Sequence, residues 1–169
     1  MALVIRNLQR AVPLRRARLR RDCQVLSQIL GLGHFDLGLI CVDNQRMRIL
    51  NGRYREQEAA TDVLSFPFHQ DLRPGDIPKL LHQDEYNLGD IFLGVEYIHK
   101  QSQVYGQDFY NVLTVTTLHG ICHLLGYMHN TETEWKQMFQ REFNTLQMFN
   151  ILTGASLKPL TQNIFSTHT

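Results

Sequence analysis

The sequence predicts an α+β fold: a small mixed β-sheet packed by helices, an αβα-type sandwich. Three observations carry that expectation. Short apolar, β-capable runs alternate along the chain with segments whose apolar residues recur every three or four positions, so strands and helices are interleaved. The 169 residues suffice for one well-formed core and fall short of a comfortable two. Hydrophobic residues make up 43% and charged residues 20%, which is ordinary for a globular protein and excludes a disordered or fibrous chain. A single domain over residues 1–169 is expected, with a flexible tail from about residue 155.

The elements follow in order. Ala2–Leu8 reads as a strand. Pro13 sits where a helix could begin, since proline is tolerated in the first turn. Leu19, Cys23, Leu26, Ile29 and Leu30 give that helix an apolar face, and Gly31 and Gly33 end it. Leu37–Val42 is a near-continuous apolar run, as an interior strand requires. Asp43 and Asn44 are capping residues for a short helix over Gln45–Arg55, weakened by Gly52. Thr61–Phe68 (TDVLSFPF) is a strand whose Pro67 places it at an edge or near its end. Residues 69–87, with Pro74, Gly75 and Pro78, read as an exposed loop. Leu88–Val95 is the next strand and Glu96–Val104 the helix after it. Asp108 caps a long buried helix over Phe109–Leu125, which Gly126 stops. Thr131–Phe149 is a last amphipathic helix whose stripe of Trp135, Met138, Phe139, Phe143, Leu146 and Phe149 is expected to pack into the core. No internal repeat or low-complexity tract is present.

The formal net charge of +1 forces no nucleic-acid partner. Its distribution is uneven, because every charged residue before Asp22 is an arginine, from Arg6 to Arg21. The Arg-rich segment 1–21 has two readings: a mitochondrial targeting signal overlapping the first strand, or a basic face that is solvated or meets RNA phosphates. A mitochondrial matrix location is the expectation, with cytoplasm or nucleus as the alternatives. Cys23, Cys41 and Cys122 are odd in number and unpaired in spacing, so free thiols in a reducing compartment are the default. No apolar run approaches the roughly 20 residues of a membrane span, and no membrane partner is expected.

Residues 118–129 read LHGICHLLGYMH. His119 and His123 are four apart, which places their Cβ atoms about 5–6 Å apart on one helix face, close enough to grip one ion. Gly126 reaches backbone conformations denied to other residues and can swing His129 round to a third position. Three neutral imidazoles and one open position is the arrangement of a catalytic zinc. The expected cofactor is therefore one zinc ion held by His119, His123, His129 and a water, in a cleft of the sandwich; nickel and copper suit the same ligands. Such an ion lowers the pKa of its water to about 7. Cys122 lies beside this face, as a fourth ligand or as a small buried residue, the latter being the commoner state of a thiol. The spacing equals that of the metzincin proteases, HExxHxxGxxH, but Gly120 stands where those enzymes carry their glutamate base, which disfavours peptide hydrolysis.

These residues also bring a family into view. The chain resembles the YbeY family of rRNA maturation factors, whose signature HGxxHLxGYxH is matched at every fixed position: His119, Gly120, His123, Leu124, Gly126, Tyr127 and His129. The blocks LNGRYREQEAATDVLSFPF (Leu50–Phe68) and LGDIFL (Leu88–Leu93) are similar to that family's in order and spacing. The resemblance implies a small mixed sheet packed by helices with a zinc cleft at one side. It implies a single-strand-specific endoribonuclease acting in 16S-type rRNA 3′-end processing and ribosome quality control. It further implies partnership with a small-subunit ribosomal protein and a ribosome-associated GTPase. The family's catalytic arginine matches Arg55, after Tyr54. Two departures stand out: Met128 occupies the place where many bacterial members have aspartate, and EQEAA replaces a more basic stretch before TDVLSFPF. The Arg-rich start is likewise unlike the bacterial pattern and fits an organellar version.

Arg55 is the residue expected to hold the scissile phosphate, because a guanidinium stays charged and matches two phosphate oxygens. On residue type alone a surface ion pair with a neighbour such as Glu56 or Glu58 is the stronger reading, and the family match tips the choice to phosphate binding. Arg53 and Arg48 are weaker candidates for RNA contact, as is Arg46, their default being a solvated helix face. No general base is identifiable, and the 2′-hydroxyl of the RNA is an alternative nucleophile. Two other functions compete: a non-catalytic ribosome assembly factor with a structural zinc, and a metal-dependent hydrolase of another substrate.

Overall fold

The structure is a computed structural model that describes residues 2–77, 80, 82 and 85–160. In chain order its elements are β1 (Leu3–Asn7), α1 (Arg16–Ile29), β2 (Asp36–Val42), α2 (Asn44–Arg55), β3 (Val63–Pro67), β4 (Asn87–Gly94), α3 (Val95–Val104), α4 (Phe109–Leu124) and α5 (Glu132–Thr153). The four strands form one sheet in the order β1-β2-β4-β3. β1 and β4 flank β2 in parallel, while β3 runs antiparallel to β4, so the sheet is mixed as expected.

Strand alternation sorts the side chains into two layers. Leu3, Ile5, Leu37, Leu39, Cys41, Val63, Ile91 and Leu93 point into the main core, which α1, α4 and α5 close with Leu19, Cys23, Leu26, Leu118, Ile121, Met138 and Leu146. The residues between them face the other way. Val42 and Leu64, with Ile40, Phe66 and Phe92 beside them, meet Met47 and Leu50 of α2 in a smaller second cluster. Helices thus lie on both faces of the sheet. The helix α4 is apolar nearly all round because it packs at once against β3, β4, α1, α3 and α5. It is the element that carries His119 and His123 into the interior.

Several expectations need correction. The first helix begins at Arg16, three residues past Pro13. β3 begins at Val63, one residue after Asp62, whose carbonyl accepts the Gly94 N–H (2.7 Å) at the end of the ladder with β4; Pro67 does end it, at the sheet's edge. The last helix runs to Thr153, where Gly154 (φ +76°) stops it: no helix-breaking residue stands between Phe149 and that glycine. Of its predicted stripe, Trp135, Met138, Leu146 and Phe149 are buried, but Phe143 is 39% exposed, and the buried face also carries Glu142 and Thr145. Finally, residues 155–160 are not a loose tail. Asn150 donates to the Leu157 carbonyl (3.0 Å) and accepts from its N–H (2.9 Å), and Ala155, Leu157 and Leu160 pack on the main core. Pro78 and residues 161–169 of the expected loop and tail lie outside the described residues.

Candidate metal centre

The Asp108 carboxylate caps α4 by accepting the Asn111 N–H (3.0 Å), as its position ahead of the helix predicts. At the other end the chain must turn sharply. Gly126 takes φ +92°, and Tyr127 N–H folds back to the Cys122 carbonyl (3.1 Å). A Cβ at Gly126 would run into the carbonyl of Leu72, so the turn is closed to any other residue on two counts. The turn carries His129 back over the helix end. One nitrogen each from His119, His123 and His129 then lies within 4.8 Å of the other two.

Two of the rings are oriented from behind. His119 Nδ1 lies 2.9 Å from Oε1 of Glu142, a fully buried carboxylate on α5. With Nδ1 donating to that oxygen, Nε2 presents its lone pair to the centre. His123 Nδ1 donates likewise to the Tyr127 carbonyl (2.9 Å), within the very turn that Gly126 makes. The two Nε2 atoms face each other at 3.1 Å. Two bare imidazole nitrogens that close need a proton or a cation between them. Tetrahedral coordination at Zn–N distances of about 2.0–2.1 Å would set them roughly 3.3 Å apart. Burial, then the neighbouring His119 and His129 rings, push His123 down to about 4. It is neutral near pH 7, the state a metal ligand needs. The donor set therefore fits a bound metal ion. Cys122 is no part of it: fully buried in the core, its thiol is held well above the ordinary range by desolvation.

The centre opens into a cleft of about 580 Å³, with β3 along its floor and Tyr54 and Arg55, from the end of α2, on one wall. Buried Asn51 positions that wall by donating to the Ala59 carbonyl (2.9 Å). Among the described residues, Arg55 has no carboxylate at ion-pair distance, so neither Glu56 nor Glu58 claims it. Its charge is felt at His123, where it opposes protonation. Arg46, Arg48 and Arg53 are exposed on α2 and do not line the cleft. Met128, 48% exposed, stands on its rim. Gly120 faces the sheet: a Cβ there would meet Ile91 at 3.0 and 3.1 Å and Ser65 Oγ at 3.2 Å. A glutamate of the metzincin type at that position would have to push the Ile91 and Ser65 side chains aside.

Glu142 is the residue that sequence reasoning missed. It sits four residues after Met138 and four before Leu146, so its place on a buried face was there to be read. The predicted stripe shares Trp135, Met138, Leu146 and Phe149 with the buried face but counted Phe143 in place of Glu142.

The comparisons with known proteins agree with this geometry. The family model described as Endoribonuclease YbeY matches residues 6–150. A human protein named Endoribonuclease YbeY is 53% identical over 165 residues, covering 98% of each chain. A Geobacillus protein of the same name is 35% identical over 122 residues, 69% of this chain and 74% of its own. A solution structure of a Thermotoga maritima protein superposes with a TM-score of 0.54 over 94% of this chain and 100% of its own; at 20% identity it shows the shared fold alone. The chain belongs to the YbeY endoribonuclease family and is an RNA-cleaving hydrolase.

Proposed function

We propose that this chain cleaves single-stranded ribosomal RNA with one zinc ion held by His119, His123 and His129, in rRNA maturation and ribosome quality control. The observation that carries the reading is the convergence of three imidazole nitrogens, two with their tautomers set from behind, beside an arginine in an open cleft that has no carboxylate at ion-pair distance among the described residues. When bound, the ion would supply Lewis acidity to water and to a phosphate oxygen. Zinc is favoured because an all-nitrogen, three-ligand set with a vacant position is its usual catalytic site.

The chain's own residues have separable tasks. Glu142 and the Tyr127 carbonyl keep Nε2 of His119 and His123 turned to the centre. Arg55 binds the scissile phosphate through paired N–H donors and offsets the charge that builds on it. Gly120 supplies no base, so proton removal falls to a group outside α4. Attack by the RNA's own 2′-hydroxyl would leave 2′,3′-cyclic phosphate ends and make DNA inert.

The test is cleavage of single-stranded RNA with and without chelator, by wild type, His123→Ala and Arg55→Ala, with circular dichroism to check folding. Activity lost on chelation, restored by zinc and absent in both folded variants is expected. Equal cleavage by all three proteins would sink the proposal. A small-subunit ribosomal protein and a ribosome-associated GTPase are proposed as partners on the same family grounds. Mitochondrial location is proposed from the Arg-rich start. β1 and Leu19, 1% exposed, belong to the folded domain, so such an address would have to be read without removal of segment 1–21. Imaging a C-terminal fluorescent fusion tests it, and a purely cytosolic or nuclear signal would exclude it.

A further inference from the structure

Beside the metal centre stand aromatic rings that neither the metal nor the phosphate uses. Tyr54, which lines the cleft, is 58% exposed. It is nonetheless held from one side: its ring meets half-buried Phe66 at 5.0 Å and 69°, and Phe66 rests in turn on Phe92 at 5.5 Å and 87°. The Tyr54 ring is braced from below and open above, at the fixed end of α2, where Asn51 and the left-handed Glu56 (φ 56°) set the backbone. Arg55, the next residue, lines the same cleft. A phosphate held by its guanidinium there leaves the base of an adjoining nucleotide free to reach the Tyr54 ring.

We propose that Tyr54, braced by Phe66, is a nucleobase-stacking site for the RNA residue next to the scissile phosphate. The inference rests on the reading of Arg55 and the metal centre as the place of RNA cleavage. It supplies a physical origin for a single-strand requirement. A base can lie on the Tyr54 ring only after leaving its own helical stack, and a duplex base is not free to do so. Stacking uses the π-face that every base has, so the site discriminates strandedness strongly and sequence weakly.

The experiment uses full-length protein in chelator, so that RNA is bound and not cut. Short single-stranded RNAs carry 2-aminopurine or an abasic residue, scanned along the strand. Tyr54→Leu keeps an apolar side chain that suits a helix, and Tyr54→Phe keeps the ring. Loss of one base–aromatic stack weakens affinity roughly 5- to 150-fold. Tyr54→Leu is expected to lose that much and Tyr54→Phe less than about twofold. At one position, an abasic residue should weaken wild type by a similar factor and leave Tyr54→Leu unchanged. 2-Aminopurine there should be quenched by wild type and by Tyr54→Phe only. With zinc restored, the loss in Tyr54→Leu should fall on KM. Tyr54→Leu binding as tightly as wild type, or the abasic penalty persisting in it, overturns the stacking site. If wild type cleaves single-stranded RNA while that happens, the endoribonuclease reading stands alone. If wild type neither binds nor cleaves such RNA, both fall.

Discussion

Replacing Glu142 tests whether a residue buried behind the site tunes the metal. Glu142→Gln keeps the shape and one oxygen able to accept from His119 Nδ1, but removes the charge and lets the amide turn its NH2 toward the ring. Glu142→Ala removes the acceptor altogether. Carboxylate partners of metal-bound histidines are worth about 10- to 100-fold in metal affinity. We therefore expect zinc to bind about tenfold more weakly to Glu142→Gln and about a hundredfold more weakly to Glu142→Ala. At a fixed excess of zinc, each factor of ten removes about 1.4 kcal/mol of metal-induced stabilisation. In a domain of this size 1 kcal/mol moves Tm by about 2–4 °C, so the zinc-induced rise in Tm should shrink by roughly 3–6 °C in Glu142→Gln. Chelator competition gives the affinity directly, and melts with and without zinc separate this effect from loss of intrinsic stability. The latter should be about 1–3 kcal/mol for Glu142→Ala, which strips His119 of this buried acceptor. Both variants binding zinc as tightly as wild type, with an undiminished zinc-induced rise in Tm, would show that the 2.9 Å contact does not tune the centre.

Three further outcomes are expected. Gly120→Glu should not create a peptidase; urea unfolding should show a loss of at least about 1–3 kcal/mol, because the new side chain is driven into Ile91 and Ser65. Gly126→Ala should cost more than the roughly 1–2 kcal/mol of a left-handed alanine, since its Cβ also meets the Leu72 carbonyl, and should weaken zinc binding by displacing His129; unchanged zinc affinity would argue against the turn as the device that places the third ring. Metal-free protein should lose stability as pH falls from 6.5 to about 4, because the unfolded chain protonates His123 in that window and the folded chain refuses the proton. Calorimetry on chelated protein should show a falling Tm there, flattened in His123→Asn, and a Tm that rises on acidification would contradict the assignment.

Much of the fold was legible because period and punctuation agree locally. LGLICV could hardly be other than an interior strand, and the Asp108 and Gly126 signals bound α4 to within one residue. The three histidines were legible for the same reason. Helix spacing fixes the first two relative to each other, and a glycine bend is the local means of returning the third. The errors arose where a decision depended on a partner far along the chain. The stripe predicted for α5 was right at Trp135, Met138, Leu146 and Phe149 but took in exposed Phe143 and left out Glu142, because a phenylalanine outweighs a glutamate in any tally of hydrophobicity. The buried face is nevertheless the one that carries Glu142 to His119, 23 residues away in sequence.

Arg55 shows the same division. From its residue type alone an ion pair with Glu56 or Glu58 was the stronger reading; whether it points into the cleft depends on how α2 sits against β3. Composition and short-range spacing therefore sufficed to predict that the three histidines cluster, because all three lie within eleven consecutive residues of one helix and its turn. The carboxylate behind them, the arginine beside them and the exposed tyrosine near them come from α5 and α2. The face each occupies can be read from local spacing, but which of them meets the centre follows from packing between distant elements.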